Sequence, residues 1–152
     1  MNDHPRLWFW GVATLCLGLF SACAPDQKPQ SKRWQATNAY MNALLPGQTR
    51  AAVYLTLFNP YPQDHKILSL EAAVAGQAEI HRHTYDNGLM KMRPVPHAVV
   101  PAGGSLVFAP GGYHIMLFDV DGQPKVGTQF SMTMEFDSGE QFTFPVEVRS
   151  LK

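Results

Sequence analysis

Beyond residue 33 the apolar positions recur with period two or in short unbroken runs, and turn-forming residues interrupt them roughly every 8–12 positions. Such spacing suits strands and leaves little room for long helices. It predicts ten strands: Trp34 to Met41, Ala51 to Asn59, Lys66 to Val74, Ala78 to Tyr85, Met90 to Arg93, Ala98 to Val100, Ser105 to Phe108, His114 to Phe118, Thr128 to Phe136 and Gln141 to Arg149. Between them stand Pro46-Gly47, Asn59-Pro60, Asn87-Gly88, Gly103-Gly104, Gly111-Gly112, Asp121-Gly122 and Ser138-Gly139, which supply left-handed backbone or turn-starting side chains. The expected class is all-β, an antiparallel Greek-key sandwich or barrel. In the last hairpin Phe130, Met132, Met134 and Phe136 share one face, and Phe142, Phe144, Val146 and Val148 another. Met132 and Met134 are therefore expected to fill core space.

The first residues break this pattern. Arg6 precedes an apolar run from Leu7 to Phe20 that is too short to span a bilayer comfortably, so residues 1–22 read as an export signal. The run ends in Phe20-Ser21-Ala22-Cys23, which resembles the lipobox of bacterial lipoproteins and makes Cys23 the expected lipidation site. Two rivals remain: secretory cleavage after Ala24, and an uncleaved anchor. All three place the rest of the chain outside the cytoplasmic membrane, in the periplasm or cell envelope. Residues 23–32 are polar and proline-containing and read as a flexible tether, which leaves 33–152 as the folded domain. Cys16 would leave with the signal and Cys23 would carry lipid, so the mature domain is expected to have no thiol for a disulfide or a soft metal.

Composition sharpens this. The 152 residues suit one domain, and 12 basic against 12 acidic side chains give zero formal charge. That balance lacks the electrostatic footprint of a nucleic-acid binder, so no nucleic acid is expected as a partner. Seven Met and six His stand against two Cys. The surplus is local: residues 79–116 contain His81, His83, His97, His114, Met90, Met92 and Met116.

Asn87-Gly88 is a strong two-residue hairpin signal, and a turn there pairs Tyr85 with Met90 and His83 with Met92. Alternation then turns His81, His83, Tyr85, Met90 and Met92 to one side, while His114 and Met116, two apart, share a side of the next clear strand. Two imidazoles and two thioethers can thus converge from separate strands. Thioether sulfur binds Zn(II), Mg(II) and Ca(II) poorly and suits Cu(I), which imidazole also accepts. Met90 and Met92 could instead be a buried hairpin pair. His65 and His97 are expected to be solvated loop residues, and Gly111-Gly112 either a plain turn or a close approach at a metal rim.

The spacing of His81, Met92, His114 and Met116 is H-x10-M-x21-H-x-M. With Glu79-Ile80-His81, the run Asp86 to Val95, Pro101 to Gly104, Pro110 to Met116 and the earlier Pro46-Gly47-Gln48, the chain resembles the periplasmic copper chaperones of the PCu(A)C family over nearly all of its mature length. The resemblance implies a cupredoxin-like fold, an exposed Cu(I) site on those four residues, and delivery toward the copper-A subunit of cytochrome c oxidase or a thiol copper-assembly protein. Family members often carry Met near the first ligand, where this chain has His83. His83 and Met90 are auxiliary candidates. Some members bind a second copper on a His- and Met-rich tail, and this sequence ends at Leu151-Lys152 without one, so one copper per chain is expected. A monomer is expected as well. A buffering or copper-tolerance role is the alternative to oxidase assembly. No nucleophile and base pair with recognisable spacing is present, and a blue-copper site would need a Cys thiolate, so the expectation is a carrier and not an enzyme.

Overall fold

The computed structural model describes residues 32–151 apart from Asn87, within a compact unit that begins at Ser31. The export signal, the lipidation site Cys23 and most of the tether lie outside the described residues. Ten strands are present and, among the described residues, no helix: β1 (Gln35–Asn42), β2 (Ala51–Phe58), β3 (His65–Ala72), β4 (Ala75–Asp86), β5 (Leu89–Pro94), β6 (Ala98–Val100), β7 (Ser105–Phe108), β8 (Tyr113–Val120), β9 (Gln129–Phe136) and β10 (Gln141–Arg149). Each coincides with one of the ten expected from periodicity, with ends that move by up to three residues.

The strands pair in the order β5-β4-β8-β7-β2-β1-β10-β9-β3-β6, with β8 also touching β2. Neighbours run antiparallel except β1 with β10 and β7 with β8, which are parallel. The sheet closes over itself as a cupredoxin-like sandwich, because every long strand has one apolar face to bury. Val53, Leu55 and Leu57 of β2, Ile115 and Leu117 of β8, Met132, Met134 and Phe136 of β9, and Val146 and Val148 of β10 form one buried cluster. Met132 and Met134 are fully buried, as the alternation requires. The expectation that Phe142, Phe144, Val146 and Val148 face another way is corrected: Phe142, Phe144 and Val146 pair directly with Met134, Met132 and Phe130, and cross-strand partners share one face of the sheet. Trp34, just before β1, stacks on Phe136 with ring centroids 3.7 Å apart and donates from Nε1 to Glu140.

His65 corrects one expectation. It begins β3 and is buried, with Nδ1 2.9 Å from Asp137 Oδ1 and its ring edge-on to Trp34 and Tyr61. The polar loop text around it suggested solvent, but Asp137, 72 positions away in sequence, provides its polar partner. The hydrogen bond from His65 lowers the Asp137 carboxyl below its ordinary value. His97 is exposed in a loop, as expected.

The two kinds of methionine should separate in stability measurements. Met134→Ala empties core volume and should lower unfolding free energy by about 2–5 kcal/mol in urea titrations. Met92→Ala, on an exposed part of β5, should change it by less than about 0.5 kcal/mol. Equal losses would contradict the assignment of Met134 to the core and Met92 to the surface.

Candidate metal centre

Ile80 of β4 and Ile115 of β8 are directly paired and both buried in the core. Strand alternation therefore turns their neighbours outward: His81 pairs with His114 and Glu79 with Met116 on the outer face. On the other side of β4, the β4–β5 hairpin pairs His83 with Met92, Tyr85 with Met90 and His81 with Pro94. This is the register the Asn-Gly signal predicts, and Gly88 has the left-handed φ of +79° that its turn needs. The outer face of β5-β4-β8 thus carries His81, His83, Met92, His114 and Met116 together.

His114 is the centre of the group. It lies on an outward face yet is only 2% exposed. The His83 ring centroid is 4.9 Å from its own and that of His81 6.0 Å away. Its Nδ1 lies 3.2 Å from the carbonyl oxygen of Gly112, which also accepts the backbone N–H of His83 at 3.2 Å. Both neighbours of the ring, this carbonyl and the Met92 sulfur 3.2 Å from Nε2, can only accept, and the carbonyl is much the stronger acceptor, so in the neutral ring Nδ1 carries the proton. Burial lowers the His114 pKa against the raising effect of the Gly112 hydrogen bond, with His83 and His81 pushing the same way as burial. The ring is therefore neutral at pH 7, and Nε2 presents a bare lone pair.

That lone pair faces the Met92 sulfur at 3.2 Å. Two donor atoms meet there with no proton between them. Two ligands on one first-row ion, at about 2.0 Å for nitrogen and about 2.3 Å for sulfur, stand roughly 3.3 Å apart for an angle near 100°. The separation in the protein fits a shared cation. Met92 is itself 54% exposed, and Tyr85, Leu89 and Met90 beside it are exposed too. This excludes the buried-pair alternative for Met90 and Met92.

The other candidates are placed less uniformly. His83 has a buried Nδ1 with no hydrogen-bond partner. His81 lies between the rings of His114 and Phe118, with its Nε2 2.8 Å from Glu79 Oε2. Met116 is half-buried one row along the same face, opposite Glu79 on β4 and Ala52 on β2. Met90 pairs with Tyr85 at the far end of the hairpin from His114. Among the described residues, no cluster of three or more His, Cys, Asp and Glu is arranged to hold a metal ion. Met92 and Met116 share this face with the imidazoles, and thioether sulfur favours soft metal ions. Glu79 and the Gly112 carbonyl were not singled out from sequence. The period-two text Glu79-Ile80-His81 held the signal for the first, while the second depends on the fold.

Comparison with known proteins follows the same lines. A family model described as "Putative lipoprotein LpqE-like" matches residues 35–148. "Uncharacterized protein RP573" of Rickettsia prowazekii is 32% identical over 101 residues, which make up 66% of this chain and 56% of that protein, so the match spans little more than half of the relative. "Putative lipoprotein Lxx21020" of Leifsonia xyli is 28% identical over 144 residues, 90% of this chain and 84% of that one. Among solved structures, the Cu(I) form of DR1885 from Deinococcus radiodurans superposes with a TM-score of 0.65 at 26% identity, covering 82% of this chain and 85% of that one. The copper-bound PCuAC domain of PmoF2 superposes with a TM-score of 0.66 at 21% identity, covering 78% and 93%.

The His114 ring offers a direct check in the metal-free protein. Its folded pKa lies below the ordinary 6.5. Its contribution to stability is therefore complete above 6.5, where both states are neutral, and is lost as pH falls toward and through the folded value. An NMR titration should show His114 protonating below 6.5, with its neutral form carrying hydrogen on Nδ1. Titration at or above 6.5, or a proton on Nε2, would contradict this account of the site.

Proposed function

We propose that this chain, which belongs to the LpqE-like family, is a copper carrier of the cell envelope and not an enzyme. Its cargo is one Cu(I), held by His81, Met92, His114 and Met116 and passed to a partner by ligand exchange. The observation that carries this reading is the bare Nε2 of His114 facing the Met92 sulfur at 3.2 Å. The Cu(I) form of the Deinococcus protein and the copper-bound PmoF2 domain, both similar in fold, support it. Anchoring through a lipid on Cys23 fits the lipoprotein description of the family.

The donor set accounts for both retention and release. Imidazole and thioether are neutral and soft enough for Cu(I), and neither is consumed by oxidation to a disulfide outside the cytoplasm. His114 is preorganised by the Gly112 carbonyl and by burial, so it stays fixed while copper is exchanged. Met92 is the accessible donor, and an incoming thiolate, thioether or imidazole can reach the metal from its side. The acceptor we favour is the copper-A subunit of cytochrome c oxidase or a thiol protein that assembles it, on the strength of the motif shared with the PCu(A)C chaperones.

Anaerobic competition against a chromogenic Cu(I) chelator tests this. The wild-type domain should take up one equivalent. Loss of an outer-shell group commonly costs 10–100-fold in metal affinity, so His114→Ala and Met92→Ala, which remove ligands, should each weaken Cu(I) binding by at least about 100-fold. Uptake of no copper, or wild-type affinity in both variants, would overturn the proposal.

A further inference from the structure

Four neutral donors leave the charge of Cu(I) uncompensated, and the sheet provides an anion beside them. Gln77, Glu79 and His81 alternate along one face of β4, opposite Phe118, Met116 and His114 of β8 in turn. Gln77 Nε2 donates to Glu79 Oε1 at 2.7 Å, and Glu79 Oε2 lies 2.8 Å from His81 Nε2. The His81 side chain is 15% exposed and that of Glu79 36%, so the pair sits at the edge of the site and not loose in solvent. A carboxylate accepts and does not donate, so the proton of this contact belongs to His81 Nε2. The ring nitrogen left free is Nδ1.

We propose that Glu79 is a positioning residue for copper: it holds the proton on Nε2 of His81, so that Cu(I) takes Nδ1, and it places the compensating negative charge next to the loaded site. The inference rests on the copper reading above. Two imidazoles of the site then bind through different atoms, His81 through Nδ1 and His114 through Nε2. Each is fixed by the acceptor that occupies its other nitrogen: the Glu79 carboxylate for His81 and the Gly112 carbonyl for His114. Gln77 in turn keeps Glu79 from rotating away, since it engages the oxygen that His81 does not use. Carboxylate support also makes the His81 ring a stronger donor, because a partly shared Nε2 proton raises electron density at Nδ1.

Ring-nitrogen NMR on the whole domain, with and without one equivalent of Cu(I), reads this directly. The wild-type His81 should keep hydrogen on Nε2 in both forms, with only Nδ1 shifting on metal addition. Glu79→Gln retains an acceptor oxygen but removes the charge, and should weaken Cu(I) binding roughly 10-fold with the tautomer preserved. Glu79→Ala should weaken it further, towards about 100-fold, and should also let His81 populate both tautomers. A merely structural carboxylate would not move the tautomer. A copper-induced shift at His81 Nε2 in the wild type would overturn the proposal, as would wild-type affinity in both Glu79 variants. If His114→Ala loses copper while the Glu79 variants do not, the carrier reading stands and this inference falls. If the wild type takes up no Cu(I), both fall.

Discussion

The pairing of Ile80 with Ile115 in the core is the constraint on which the proposed metal site depends. Once these two side chains are buried against each other across β4 and β8, alternation leaves their neighbours no choice of face. A slip of one residue would send His81 and His114 into the apolar interior and bring the isoleucines out, at the cost of several buried side chains. The apolar core therefore sets the register of the polar outer face. The hairpin adds the second half of the arrangement, since its turn places Met92 opposite His83 and within reach of His114.

On this frame, hydrogen bonding decides which atoms remain free. The Gly112 carbonyl accepts from the His114 ring and from the His83 backbone, and so ties together the two strands that bring the imidazoles near. Burial keeps the His114 ring neutral. The result is a pair of lone-pair donors, one nitrogen and one sulfur, directed at each other with nothing between. Two lone-pair donors at this separation suit a soft cation, which is the role proposed for the pair. The exposure of Met92 complements the burial of His114, so one donor of the proposed site is held while the other is offered to solvent.

Most of the fold was legible in the sequence because each strand carries its own period-two signal and each turn its own glycine, proline or asparagine. Ala98–Val100, Ser105–Phe108 and Gln141–Arg149 fall where the text places them. The pairing of His83 with Met92 was legible for the same reason, through a local turn. What was not legible is long-range. His65 reads as a loop residue because its partner Asp137 and its aromatic neighbour Trp34 are distant in sequence. The burial of His114 has no local signal at all, since its cover comes from His83 and Met92 on other strands. Glu79 falls between these cases: its spacing from His81 puts both on one face, but only the folded chain shows its oxygen reaching the ring.

The central claim is that copper is held by thioether sulfur and imidazole nitrogen together. X-ray absorption spectroscopy of the domain loaded anaerobically with one equivalent of Cu(I) tests it most directly. The account predicts sulfur neighbours at about 2.3 Å and imidazole nitrogen neighbours at about 2.0 Å in one shell, with a sulfur component lost in Met92→Ala. A shell of nitrogen and oxygen alone, or one unchanged when Met92 is removed, would contradict it.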